Sequence, residues 1–162
     1  MKRLIFTTII VLLTYSSSFG CMEDIPKEVM DLIDNQQIEG IDIISDQKLK
    51  SDLLAYLYFN GNRKYEELYY YLSRSFLTGY FQNIKNAVEY AKEMRDSAER
   101  GDYKYIKVFK PIYLNEREVK LKIMFKTNSE GVDYTFERIG FFIFNGTCWQ
   151  YDRMEGHKTV QD

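Results

Sequence analysis

The chain is poor in the residues that carry most enzyme chemistry. Of its 162 residues only two are proline, two cysteine, one histidine and one tryptophan. So few prolines argue against long disordered stretches. The single histidine, His157, falls in a polar C-terminal segment, "EGHKTVQD", which is expected to fray and leave the ring in solvent. A Ser-His-Asp triad needs a histidine in a packed site, so none is expected here. The two cysteines, Cys21 and Cys148, are far apart and no C-x-x-C is present, so neither a zinc site nor a dithiol redox motif is expected. No glycine-rich phosphate loop occurs, and no cofactor is implied. A basic excess is missing too. The net charge is −2 and the isoelectric point near 5.6, against the usual pattern of a general nucleic-acid binder.

What is abundant is aromatic. Tyrosine occurs 14 times and phenylalanine 11 times, within 45% hydrophobic and 28% charged residues, enough for one domain with a real core. The first twenty residues stand apart. Lys2 and Arg3 precede an apolar run, Leu4 to Leu13, and "SSSFG" brings small residues up to Cys21. This is the secretory signal pattern, and the run is shorter than the about 20 residues of a membrane span. Residues 1–20 are therefore expected to be removed on export to the periplasm or the medium. Ser18 and Gly20 suit ordinary cleavage before Cys21, which frees its thiol to pair with Cys148. The alternative is an envelope lipoprotein acylated on Cys21. Both uses need the same sulfur, so they exclude each other.

Residues 21–45 are read as a short helix, "DIPKEVMDLIDNQ", and a connector with Gly40. Leu49, Leu53, Tyr56 and Leu57 then form a helical stripe that Ser45 or Asp46 can cap, and Gly61 is placed to end it at positive φ. Tyr65, Leu68, Tyr69, Leu72 and Phe76 lie on one helical face, with Tyr70 and Tyr71 to its sides. A third helix spans about 84–100, with Ile84, Ala87, Val88, Ala91, Met94 and Ala98 inward, and Lys92–Asp96 and Arg95–Glu99 as i, i+4 pairs. From residue 102 the period becomes two. "DYKYIKVFKPIYL" is one strand, with Pro111 at a bulge or edge. "EVKLKIMFK" puts Val119, Leu121, Ile123 and Phe125 on one face and Lys120, Lys122, Met124 and Lys126 on the other. Turns at Ser129–Gly131 and Asn145–Gly146 join it to "DYTFERIGFFIF" and "TCWQYDRM". Asn145-Gly146-Thr147 is also a glycosylation sequon, which the hairpin explains better. The layout is α+β, helices packed on a four-stranded antiparallel sheet.

Several stretches raise functional questions. Tyr65 and Tyr69 on the apolar stripe read as core, whereas Tyr70 and Tyr71 read as a contact surface. Glu137 and Arg138 sit mid-strand, so one of them points toward the helices and the other away. The lysine-rich strand pair, with interleaved aromatics, reads as a solvated outer face rather than a single-stranded nucleic-acid surface.

The order of these segments is similar to the nuclear transport factor 2-like superfamily. Asn60–Gly61, Tyr65–Glu66–Glu67, Tyr71–Leu72–Ser73, Gly146 and Trp149 carry the resemblance, which covers about residues 46–154 and leaves 155–162 as a tail. The nearest branch in pattern is that of small exported or lipid-anchored bacterial proteins of unknown function. The resemblance implies a strongly curved, cone-shaped sheet with a pocket facing the helices. It says little of activity, since that fold hosts enzymes, binders and assembly domains. Enzymes of the fold place Asp, His or Tyr in the cone. The expected function is thus a non-enzymatic exported binding domain for a small apolar ligand or a protein partner. The ligand-binding residues would be Tyr69, Tyr70, Tyr71, Glu137 and Arg138. The alternatives are an inhibitor or immunity-type protein capping another exported protein, and an enzyme with its site in the cone. Membrane contact is expected only if Cys21 is lipidated. Many relatives dimerise through the outer sheet face; here Lys120, Lys122 and Lys126 would repel across such a contact, which favours a monomer.

Overall fold

A computed structural model describes Cys21, Lys27 and residues 38–97, 103–129 and 131–161. The expected signal segment and nearly all of the first expected helix lie outside the described residues. The protein is α+β, with helices and a mostly antiparallel sheet of six strands rather than four. The strands are β1 (Ile38–Glu39), β2 (Tyr103–Val108), β3 (Ile112–Asn115), β4 (Glu118–Ser129), β5 (Val132–Phe144) and β6 (Trp149–Gln161). Their order is β1-β2-β4-β5-β6, with β3 also on β4 and the β1–β2 pair parallel.

The extra strands have simple causes. Proline cannot donate to a ladder, and Pro111 splits the expected first strand in two. β2 pairs with the second half of β4, from Ile123 onward, and β3 with its first half, Glu118 to Lys120. The segment expected to fray instead continues β6 to Gln161. There it stays in register with β5, Arg138 opposite His157 and Phe136 opposite Thr159. Its polar residues suit an edge strand, where charge discourages further pairing. His157 is exposed as expected, but on a strand.

The longest helix, α1 (Gln47–Gly61), begins where Asp46 accepts a 2.9 Å hydrogen bond from the Leu49 amide. Leu49, Leu53, Tyr56 and Leu57 are buried as the stripe requires, and so are Leu54, Ala55 and Phe59 on its flanks. Beyond it the left-handed conformation falls on Arg63 (φ 57°) and not on Gly61.

The tyrosine stretch departs from expectation. Helix α2 (Tyr65–Tyr69) stops early, and α3 (Arg74–Tyr80) starts afresh. Between them the backbone turns to β6. The Tyr151 amide donates to the Tyr71 carbonyl at 2.8 Å, and the Ser73 amide to the Tyr151 carbonyl at 2.9 Å. Ser73 then caps α3 by accepting from the Phe76 amide at 3.0 Å.

Helix α4 (Ala87–Ser97) is started by Asn86, whose side chain accepts from the Glu89 amide at 3.0 Å, while Glu89 reaches back to the Lys85 amide at 2.8 Å. Its buried residues are Tyr90 and Ala91; Val88, expected inward, is 65% exposed. Arg95 meets Glu66 of α2 at 3.5 Å. Its expected partner Glu99, like Ala98, lies outside the described residues.

Cys21 and Cys148 form a disulfide, Cα–Cα 5.9 Å, across a separation of 127 residues. Cys148 is fully buried at the foot of the β5–β6 hairpin, covered by Cys21. Gly146 there takes φ 103°, and Asn145 accepts from the amides of Thr147 and Cys148, both at 2.9 Å. Trp149 is buried against Phe144, and its amide donates at 2.8 Å to Asp52, a buried carboxylate of α1 that also pairs with Lys48 at 2.8 Å. Burial pushes the Asp52 carboxyl up, and these two partners only partly offset it.

Candidate functional site

Register decides which strand residues meet the helices. Val119, Leu121, Ile123 and Phe125 of β4 stand opposite Phe142, Gly140, Arg138 and Phe136 of β5. Since the four β4 residues are buried, Arg138 is on the inner face and Glu137 on the outer. Between the inner face and the helices lies a cavity of about 260 Å³. Arg138, Tyr151 and Met154 line it from the sheet. Tyr56, Phe76 and Tyr90 line it from the helices.

Aromatic contacts fix these walls. Tyr151 stacks on Tyr56 at 5.2 Å and meets Phe76 edge-on, also at 5.2 Å. Gly140 makes room for it: a Cβ at that position would lie 2.7 Å from the Tyr151 ring. Arg138 lies over the rings of Phe125 and Phe136, at 5.7 and 5.8 Å from their centroids. Burial, with Tyr56 beside it, pushes the Tyr151 phenol well above its ordinary range, although Arg138 opposes the shift. The hydroxyl therefore stays protonated at neutral pH.

The five residues expected to bind ligand do not converge. Arg138 lines the cavity. Glu137 pairs with Lys122 at 2.8 Å on the outer face. Tyr71, expected as contact surface, is fully buried and packs on Phe59 at 5.6 Å, because its backbone is held by β6. Tyr70 is 39% exposed and borders a groove with Glu66 and Val88. Tyr69 is buried, as its place on the stripe implied, and its hydroxyl donates to the Lys85 carbonyl at 3.5 Å. It lines a second, wider recess of about 710 Å³, whose rim carries Arg74, Lys85, Asn145 and Thr147.

Tyr56 was read only as part of the α1 stripe, and Tyr90 and Tyr151 escaped the sequence reading. For Tyr151 the local signal was Gly140, since a glycine inside a strand marks a close approach. Among the described residues no group of His, Cys, Asp or Glu could hold a metal, and no helix is long and apolar enough to cross a membrane. No family model matches this chain, and no curated protein or solved structure matches it significantly.

Proposed function

We propose that the protein is an exported, non-enzymatic binding domain of the nuclear transport factor 2-like kind, taking a small apolar ligand between its helices and a cone-shaped sheet. The observation that carries this reading is the 260 Å³ cavity with aromatic walls on the inner sheet face. Export rests on the signal-like segment, and the Cys21–Cys148 disulfide fits an oxidising compartment. Native mass spectrometry of protein purified from its own envelope tests both parts. The expected result is a bound small molecule that is lost in the cavity-filling variant Met94→Trp. The N-terminal peptide should start at Cys21 and be linked to Cys148. A ligand-free mass for wild-type protein would sink the binding reading, and a diacylglyceryl group on Cys21 would sink the disulfide reading.

A second reading, an inhibitor or immunity-type protein, has its own observation. Ile112, Tyr113 and Leu114 of β3 are 58%, 44% and 49% exposed on a strand that, among the described residues, pairs only with β4. Such an edge suits strand addition by a protein partner. A stoichiometric protein complex in the same spectra, abolished by Tyr113→Lys, is the result that would favour it.

A further inference from the structure

We propose that the wider recess between α3 and the β5–β6 hairpin is a second binding site, for a single-chain amphipathic anion. The ligand is an aliphatic carboxylate whose charged end meets Arg74 and Lys85 and whose chain lies on Leu72, Leu77 and Ile84. Among the described residues only Leu72 lines both this recess and the inner cavity, so the two can be filled or blocked separately.

The charge in the recess is of one sign. Arg74 and Lys85 line it, and none of the described residues lining it with them is acidic. Neither cation is spent within the fold. Among the described residues their side chains enter no ion pair and no hydrogen bond, whereas Lys120 and Lys122 of the outer face are held by Glu155 and Glu137. Glu89, four positions after Lys85, is turned to the backbone. It accepts from the Lys85 amide at 2.8 Å and from the Asn86 side chain at 3.2 Å. Both cations stand on fixed backbone. Arg74 opens α3 directly after its cap Ser73, and the Lys85 carbonyl accepts from the Tyr69 hydroxyl at 3.5 Å.

The floor gives the rest of the ligand. Leu72 and Leu77 are buried and Ile84 is half-buried, so a bare inorganic anion would leave apolar surface in water. Gln150, 6% exposed, also lines the recess and gives one amide hydrogen to the Tyr70 carbonyl at 2.8 Å. The second hydrogen on that nitrogen has no acceptor among the described residues. A buried donor without an acceptor costs free energy that a ligand oxygen recovers. At about 30 Å³ for each water-sized group, 710 Å³ holds roughly two dozen non-hydrogen atoms. Dodecanoate fits, and a two-chain phospholipid does not.

The test uses the mature protein and matched probes titrated by calorimetry: octanoate, dodecanoate, 1-octanol and octylammonium. Octanoate should bind at least about ten-fold more tightly than 1-octanol, as expected for hydrogen bonds to charged groups, and octylammonium more weakly than either. A buried methylene is worth roughly four-fold, so dodecanoate should gain at least about ten-fold over octanoate even with half of its chain in water. Arg74→Gln combined with Lys85→Gln replaces two exposed side chains and should leave the fold intact. It should bring octanoate down to the level of 1-octanol and leave 1-octanol unchanged. Ile84→Asp should weaken both, and Met94→Trp, which fills the inner cavity, should weaken neither. Equal binding of acid and alcohol would overturn the proposal, as would octanoate binding that survives the double substitution. Loss of octanoate in Met94→Trp alone would overturn it by moving the acid to the inner cavity, and would leave the inner-cavity reading standing. Binding of none of the probes at millimolar concentration would also overturn it, with the inner-cavity reading still decided by the native mass spectra.

Discussion

Along β4, Val119, Leu121, Ile123 and Phe125 are buried, while Lys120, Lys122 and Met124 between them are half-buried and Lys126 is exposed. The two faces of one sheet thus handle aromatic rings and cations in different ways. Inside, rings pack mainly on rings, and Arg138 lies over two of them, Phe125 and Phe136, with no carboxylate lining the cavity among the described residues. Outside, cations lie over rings as well, Lys122 over Phe109 at 4.7 Å and Arg153 over Phe141 at 3.9 Å, but with acids beside them. Carboxylates in turn hold those cations, Glu137 on Lys122, Glu155 on Lys120 and Glu118 on Arg153. A count of lysines therefore overstates how positive the outer face is. The repulsion expected between two such faces is offset locally by these acids, so the lysines alone are a weak reason for a monomer. The same acids compete with any phosphate for the lysines.

If the inner face supplies the stability, removing one of its rings should have the largest effect. Trp149→Ala should destabilise by about 3–5 kcal/mol, the usual range for a buried large aromatic, through lost ring packing against Phe144, while the backbone amide keeps its bond to Asp52. Chemical denaturation measures this. A loss below about 1 kcal/mol would place Trp149 with the outer residues in energetic terms. Next comes Gly140→Ala, which adds one methyl group. Its Cβ would stand 2.7 Å from a ring stacked on Tyr56, so Tyr151 must move into the cavity. The expected cost is about 1–3 kcal/mol, with weaker binding of any ligand that native mass spectrometry finds on the wild type. Unchanged stability together with unchanged binding would show that the ring is not confined.

What was legible in the sequence divides along the same line. The alternation of β4 gave its faces, and the stripe of α1 gave its buried side, because each depends on a local period. Long-range pairing was not legible. Nothing near Tyr71 announces that β6 will take its carbonyl, so a helical period that looked continuous to Phe76 breaks at Tyr70. The polar tail looked free because its partner is β5, more than a turn away along the chain, and the mixed polarity of an edge strand resembles a tail. For Glu137 and Arg138 the period said that they part company, and only the register on β4 says which way. The cysteine pair was readable from compartment and count. The burial of Cys148 was not, because what covers it, Cys21, lies 127 residues away along the chain.

A smaller effect tests the seam between α3 and β6. Asp152 accepts hydrogen bonds from Ser73 at 2.7 Å and from Ser75. Burial alone would push its carboxyl up, but the hydrogen bonds from Ser75, Ser73 and Arg153 outweigh it and hold the carboxyl below its ordinary range. A depressed pKa in the fold contributes stability above the unfolded-state value of about 3.9. That stability is lost as the pH falls through the folded value. Asp152→Asn should therefore cost about 1–2 kcal/mol at pH 7 and much less at pH 3, flattening the acid limb of the stability curve. An equal cost at both pH values would mean that the charge is irrelevant to the seam.

The smallest expected effect lies on the outer face itself. Lys122 and Glu137 stand 2.8 Å apart with side chains 40% and 36% exposed. Solvent screens such a pair, and holding two long side chains in one geometry costs entropy, so its coupling should be about 0.2–1 kcal/mol. A double-mutant cycle on Lys122→Ala and Glu137→Ala isolates that coupling from the contact of Lys122 with Phe109. Salt gives the second reading. At about 1 M salt the screening length falls to roughly 3 Å, so the coupling should shrink toward zero while the loss from Trp149→Ala persists. A coupling well above 1 kcal/mol that resists salt would mean that water does not reach the pair. The outer face would then be a covered surface, and the place to look for what covers it is the row of Phe109, Lys122 and Glu137.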